Sequence, residues 1–307
     1  MGLIGQRRAI PLDLVGNVSD RQKMILEHLL KEVLGSAMER VVETVDQQAA
    51  QYIIESDARL KAELVEFAVK TIQHYAISDK FKDEAVGSER VYPSNYRVKS
   101  IEAQVTELKA LFPVLKSCDE KLPLRYKLPE GAEGWFAIPR WQALGATYNE
   151  ALERIIEAFS TKRRFSNRIV HRMGAQYLHM TERTALAQQV LCEQQKNNDI
   201  LVVAAQTGML HRGASARRTR IELARNEYSL GTFAIAALLI THPERLSNTN
   251  TLMIDCSGDE YSAGGGDNFD RVPLFDFDIG GVEFSIFYYD RARNLWGSPT
   301  GFIFKVE

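Results

Sequence analysis

Residues 199–220 read DILVVAAQTGMLHRGASARRTR, and residues 251–260 read TLMIDCSGDE. Each stretch begins with a short apolar run, typical of a buried β-strand, and continues into a loop of polar and reactive side chains. Residues 230–241, between them, are apolar almost all round, which predicts a buried helix that ends before Pro243. We therefore expect mixed α and β structure here, with the first candidate site in the loops that follow the strands.

The segments around this centre predict an α+β protein. Residues 135–139 predict a short strand, which Pro139 either places near an edge or ends, and a helix is predicted from about Ser215 to Glu227. Residues 147–150 resemble a capping box at the start of a helix, and residues 275–278 and 282–288 predict a β-hairpin before a last strand. Residues 1–115 instead repeat apolar side chains at intervals of three and four, which predicts helices. The expected organisation is a helical region over 1–115, for bundle formation, oligomerisation or partner docking, followed by an α+β domain over 116–307 that ends in antiparallel strands.

Composition indicates an ordinary globular protein. The chain is 45% hydrophobic and 25% charged, which argues against extended disorder, and its formal net charge of −2 argues against nucleic-acid binding through overall charge. Its three cysteines form neither a disulfide framework nor a metal knuckle, which indicates a reducing compartment. The sequence lacks both an apolar run of membrane-helix length and a signal-peptide pattern at MGLIGQRRAIPLD. We therefore expect a cytoplasmic protein that does not enter a membrane.

Two segments of opposite charge dominate the second half of the chain. Residues 160–225 contain twelve Lys or Arg against four acids, a formal charge of +8, whereas residues 251–290 contain nine acids against one arginine, a formal charge of −8. The two segments either pair inside the fold or across a homo-oligomer, or remain solvated, or the basic segment binds the phosphates of a nucleic acid or nucleotide, because arginine forks match phosphate geometry. The residues predicted to bind phosphate or a partner are Arg163, Arg164, Arg168, His211, Arg212, Arg217, Arg218 and Arg220.

The acidic loop predicted over residues 255–278 supplies a second hypothesis. Asp255, Asp259 and Glu260 are candidate ligands for Mg or Mn, because these hard cations take oxygen ligands. A metal site of this kind beside arginines would suit a hydrolase or nuclease-like enzyme that acts on a phosphate-bearing substrate. The spacing does not match an EF-hand, and the phosphate-loop and dinucleotide-binding motifs are absent.

A third kind of chemistry would use Cys256 as a nucleophile with His211 or His242 as its base. The family signatures that usually surround such a cysteine are absent, and the neighbouring carboxylates raise the pKa of a thiol. No catalytic residue is therefore assigned.

The preferred hypothesis is a non-enzymatic protein without a cofactor that binds a macromolecule, either nucleic acid or a protein partner, through the basic segment 160–225. The alternatives are the Mg- or Mn-dependent enzyme and a homo-oligomeric structural protein assembled through the N-terminal helices. One observation separates them. Arginines and carboxylates that pair with each other favour a scaffold, whereas both groups lining an open cleft favour a site.

Overall fold

A computed structural model of the chain describes residues 79–304 and, before them, residues 27–28, 31–32, 35–36, 43–47, 50–52 and 63–64. The chain has an α+β fold, as the sequence predicts. It divides into two compact units. The first comprises residues 15–80. The second is the remainder of the chain, and it contains both sheets together with the helix at residues 101–111. The helices predicted before residue 79 lie, apart from those isolated positions, outside the described residues, so the roles predicted for residues 1–115 stay predictions.

The helices of the second unit are mostly short, and four of the seven α-helices within residues 79–304 begin at a Ser or Thr side-chain cap. The α-helices within residues 79–304 are α1 (Ile101–Leu111), α2 (Leu122–Arg125), α3 (Trp141–Leu144), α4 (Tyr148–Lys162), α5 (Glu182–Gln194), α6 (Ala216–Glu222) and α7 (Thr232–Thr241), with 3-10 helices at Asp79–Glu84 and Pro243–Arg245. At the start of α4, the Thr147 hydroxyl accepts a hydrogen bond from Glu150 N, while the Glu150 carboxylate accepts one from Ala146 N. This exchange confirms the predicted cap, because it satisfies two amides that a helix start leaves without partners. Among the helices of the described residues, none has the length and apolar character needed to cross a bilayer.

The strands form two sheets. They are β1 (Gly134–Pro139), β2 (Phe165–Asn167), β3 (Leu178–Met180), β4 (Ile200–Gln206), β5 (Glu227–Ser229), β6 (Met253–Asp255), β7 (Asp259–Tyr261), β8 (Arg271–Asp278), β9 (Gly281–Tyr288), β10 (Trp296–Gly297) and β11 (Thr300–Phe302). The small sheet is antiparallel in the order β1-β4-β11-β5. The large sheet runs β10-β6-β8-β7-β3, and β9 joins β8 to β2.

Strand β4 is wholly buried because it lies in the interior of the small sheet, between β1 and β11. The proline-ended β1 occupies an edge of that sheet, where a proline removes no hydrogen bond from an inner strand. The predicted strands at 200–205 and 135–139, and the edge position of the second, are therefore confirmed.

Helices α4 and α7 connect the two sheets. All ten residues of α7 are buried, and the helix packs on α1, α4 and the strand β1 of the small sheet. Helix α4 packs on β2 and β3 of the large sheet, where Phe159 lies 5.9 Å from the ring of Phe275. One face of the large sheet is therefore covered by helix, and its opposite face carries the residues that alternate with Phe275.

Two predictions about this half of the chain are wrong in extent. The helix predicted from Ser215 to Glu227 ends at Glu222, because residues 227–229 pair with β11 instead. The acidic loop predicted over 255–278 contains strands β7 and β8, which leaves residues 262–270 as the loop. In both places a strand from a distant part of the chain decides the local structure.

Candidate functional site

Arg220 is held by the turn between β6 and β7. Its guanidinium donates to Ser257 O at 2.9 Å, to Asp259 O at 2.8 Å and to the Glu260 carboxylate at 3.0 Å. These bonds join the basic and acidic segments inside the fold. The guanidinium donors of Arg220 are therefore used in hydrogen bonds within the fold.

Arg217 and Arg218, on the same helix, are also paired. Arg217 forms a two-pronged ion pair with the Glu84 carboxylate. Arg218 donates to Glu222 at 2.6 Å and to Lys82 O at 2.7 Å. Both side chains fasten the segment at residues 81–84 to α6, and their donors are largely used.

His211 belongs to a buried network. Its Nε2 atom lies 2.8 Å from the Glu227 carboxylate, which also accepts hydrogen bonds from the Thr300 hydroxyl and from Ala224 N. Burial alone would raise the pKa of Glu227, but the bond and charge of His211, with the other two donors, hold that pKa below its ordinary value. His211 is thus positioned as a structural partner of Glu227 between the loop and the small sheet.

Arg163 and Arg212 differ in how firmly they are held. Arg163 donates to Pro243 O at 2.9 Å and to Leu246 O at 2.5 Å, and its side chain is only partly exposed. Arg212 is exposed and donates to Arg90 O across a long 3.4 Å. Arg212 is therefore the less firmly held of the two.

Arg164 and Arg168 lie beside β2, at the edge of the large sheet. Arg168 forms an ion pair with Glu283 of the neighbouring strand at 2.7 Å. Arg164 is exposed, and its guanidinium has no hydrogen bond or ion pair with any residue that the structure describes. Of the eight predicted binding residues, Arg164 is therefore the one that has no hydrogen bond or ion pair with any described residue.

These two arginines line a cavity of about 190 Å³ between β2 and the turn of the β8–β9 hairpin. We call the surface formed by Arg164, Ser166, Arg168, Ile279 and Gly280 the basic corner. Ile279, at the tip of the hairpin, is 98% exposed. A β-carbon at Gly280 would lie 3.5 Å from Arg164 Nε, so the glycine lets the arginine lie against the turn. The basic corner thus combines the unpaired guanidinium of Arg164 with an apolar side chain, beside the carboxylates of Asp278 and Glu283, which also line the cavity.

The predicted metal ligands do not form a cluster. Asp259 is fully buried at the start of α7, where its carboxylate accepts from Thr232 N at 2.6 Å and from the Tyr148 hydroxyl at 2.9 Å. Burial raises the pKa of Asp259 to about 6, although these bonds act against the rise. Glu260 pairs with Arg220. Within the described residues, no group of three or more His, Cys, Asp or Glu side chains is placed to hold a metal ion.

Cys256 is buried, and this burial raises the pKa of its thiol well above the ordinary value. His211 bonds to Glu227, and His242 Nε2 accepts a hydrogen bond from Lys99 N at 3.0 Å. The nucleophilic hypothesis therefore receives no support from this geometry, because a nucleophilic cysteine needs an accessible thiolate and a base beside it.

Asp255 is buried on the face of the large sheet opposite Phe275. It is opposite Leu274 in the β6–β8 pair, and Asp276, two residues further along β8, projects from the same face opposite Glu283 of β9. We call the surface formed by Asp255, Asp276 and Glu283 the carboxyl face. It adjoins the basic corner, because Ser166 of β2 is in register with Glu283.

Two acids of the carboxyl face lack partners. Asp255 is only 7% exposed, yet its carboxylate has no hydrogen bond or ion pair with any described residue, and the same holds for Asp276. Burial raises the pKa of Asp255 to about 7, against the charges of Arg293 and Arg220. Burial, followed by the charges of Glu283 and Asp278, raises the pKa of Asp276 to about 6.

Sequence reasoning missed Asp276, Glu283, Arg293 and Ile279. The alternation in FDFD, residues 275–278, carried a usable signal, since it places Asp276 and Asp278 on one strand face opposite the phenylalanines. Arg293 lies in a loop, where its guanidinium carbon is 3.4 Å from the centroid of the Phe287 ring. No local pattern indicates that contact, because it depends on how the loop folds over the sheet.

No protein-family model matches the chain, and neither the curated proteins nor the solved structures yielded a match. Functional inference therefore rests on the chemistry of this chain's own residues.

Proposed function

We propose that the protein is a binding protein that recognises an acidic segment of a protein partner through the basic corner. The observation that carries this proposal is the exposed, unpartnered Arg164, which lines the corner cavity, beside a hairpin turn whose Ile279 is almost fully exposed. Arginine forks bind carboxylates in a bidentate manner, and apolar side chains that fill a partner's pocket contribute much of the binding energy of protein interfaces. The combination suits a partner with carboxylates beside an apolar pocket.

A groove next to the basic corner supports the same proposal. It runs between α4 and residues 165–173 and shares Phe165 with the corner cavity. Ile156, Val170 and Met173 line it, and Val170 is 52% exposed. The contiguous surface therefore offers apolar contacts beyond a single charge pair, as a protein interface requires.

Nucleic acid is a weaker candidate for the partner. Tight binding to nucleic acid draws on many phosphate contacts, roughly six to ten in strongly salt-dependent complexes. Here the arginines of α6 are paired with acids, Arg168 is paired with Glu283, and Asp278 lines the same cavity as Arg164. The metal-dependent enzyme receives less support again, since Asp259 and Glu260 bond to different partners and the three predicted ligands form no cluster among the described residues.

The test uses a photo-crosslinking amino acid at position 279 of the full chain, expressed in its own cells. The matched control carries the same amino acid at position 124, because Leu124 is also an exposed apolar residue, at 84%. We expect a discrete protein adduct from position 279, absent from position 124, that disappears when Arg164→Glu is added. Arg164→Glu should leave the melting temperature within about 1 °C of wild type, since a surface change of this kind costs less than roughly 0.5 kcal/mol.

Two results would overturn the proposal. One is an adduct pattern that is the same at both positions or insensitive to Arg164→Glu. The other is steep, salt-dependent binding of an oligonucleotide that Arg164→Glu abolishes, which would assign the corner to nucleic acid instead. An adduct with a second copy of the chain would assign it to self-association.

A further inference from the structure

The carboxyl face contains a buried acid that the protein leaves without a partner. Burying a carboxylate costs several kcal/mol unless hydrogen bonds or an opposite charge offset the loss of water. Glu227 and Asp259, which are buried to a similar degree, each receive hydrogen bonds from at least two groups. Asp255 receives none from the described residues, so solvent or a ligand has to supply the donors that its charged form requires.

The charges around Asp255 leave an excess of one negative charge. Arg220 is committed to Glu260, and Arg168 to Glu283. Arg293 is near enough to lower the pKa of both Asp255 and Asp276, but its guanidinium stacks on Phe287 and forms no ion pair with either acid. Two carboxylates thus share one distant cation.

The spacing suits one small cationic group between the two carboxylates. Residues diagonal to each other on neighbouring strands have α-carbons about 7–8 Å apart, and this is the relation of Asp255 to Asp276. Two carboxylate side chains that far apart can both accept N–H bonds from one ammonium nitrogen. Entry is open on the side of Asp276 and Ser285, which are both partly exposed.

The number of acceptors on this face favours an organic cation over a metal ion. A metal ion requires more oxygen ligands than two carboxylates supply, and no group of three or more possible metal ligands is found within the described residues. An ammonium group needs only hydrogen-bond acceptors, and its hydrocarbon chain can leave the site past the partly exposed Ser285. We infer that the carboxyl face binds the ammonium group of an alkylamine, either a small amine or a lysine side chain, with Asp255 and Asp276 as acceptors.

The inference is tested on the full chain with n-butylammonium chloride at pH 8, where both carboxyls are ionised. Saturable binding by calorimetry is expected, and at ten times the dissociation constant the melting temperature should rise by about 3 °C. Equal concentrations of n-butanol and sodium chloride should produce neither effect. An N-acetylated lysine amide forms a second arm, because tighter binding of that probe would assign the site to a lysine side chain.

The variants Asp255→Asn and Asp276→Asn should each weaken butylammonium at least about tenfold, as loss of one charge-assisted acceptor predicts. Asp278→Asn is the matched control, since Asp278 lies on the same strand and face but is exposed; it should leave the affinity within about twofold, a difference below about 0.5 kcal/mol. Arg164→Glu should also retain binding, which separates this site from the proposed partner surface. The inference is overturned if wild type shows no saturable response at tens of millimolar amine, or if both aspartate variants bind as wild type does.

Discussion

Glu227 of the small sheet and Asp255 of the large sheet are both buried acids, but their surroundings differ in the hydrogen-bond donors that they supply. In the small sheet, the Glu227 carboxylate receives hydrogen bonds from His211, Thr300 and Ala224, and its pKa lies below the ordinary value. In the large sheet, Asp255 is nearly as buried but has no donor among the described residues, and its pKa is raised to about 7.

Burial alone acts in the same direction on both acids, because it disfavours the charged form. The difference comes from the neighbours. A small-sheet acid with its donors supplied from three chain segments stabilises the fold, whereas a large-sheet acid without donors weakens it. Folded proteins are only marginally stable, so an unpaired buried acid is easier to explain by ligand binding than by folding. The carboxyl face is therefore a stronger candidate for a ligand site than the surroundings of Glu227.

The largest effect is expected at Glu227. Glu227→Ala leaves the donors of His211, Thr300 and Ala224 without their acceptor inside the small sheet, so the free energy of unfolding should fall by roughly 3–5 kcal/mol. Urea denaturation followed by circular dichroism measures this change. A loss below about 1 kcal/mol would contradict the view that the network stabilises the fold.

Asp255→Asn should change stability in the opposite direction. At pH 8 the substitution removes an unpaired buried charge, and we expect a gain of about 1–2 kcal/mol, limited by the hydrogen bonds that the new amide also needs. At pH 5 the wild-type carboxyl is already protonated, so the two proteins should differ little. A loss of stability at pH 8 would show that Asp255 has an internal partner.

The Asp255 carboxyl also sets the direction in which the stability of the fold changes with pH. Because the folded-state pKa of Asp255 is raised above its unfolded value near 4, the folded protein binds the proton more tightly. This contribution to stability is present below pH 4 and is lost as the pH rises toward 7, at up to about 1.4 kcal/mol per pH unit. Unfolding curves of wild type and Asp255→Asn between pH 4 and pH 8 should therefore diverge with rising pH.

Asp276→Asn should produce the smallest effect. Asp276 is partly exposed, so water screens its charge, and we expect a gain of about 0.5 kcal/mol at pH 8. Comparison of the stability gains of Asp276→Asn and Asp255→Asn shows whether the gain increases with the burial of the replaced acid. A gain larger than that of Asp255→Asn would contradict this order.

Much of the fold followed from local patterns. The strand at 200–206, the buried helix at 232–241 and the hairpin of β8 and β9 were all indicated by apolar spacing and turn residues. The candidate site was much harder to predict. The sequence drew attention to Arg217, Arg218 and Arg220 as candidate binding residues but left open whether they pair inside the fold. The acids that pair with them lie partly in distant segments, such as Glu84 and Glu260.

By itself, the sequence determined the fold class, the main strands and helices, and the opposite charges of residues 160–225 and 251–290. These properties depend on neighbours within a few positions along the chain. Tertiary structure alone decided which charges meet, because strand register places Arg168 beside Glu283 and Asp255 diagonal to Asp276. It paired most of the arginines and left Arg164, Asp255 and Asp276 without partners among the described residues, since a carboxylate or guanidinium is satisfied only by what the fold brings within hydrogen-bond distance.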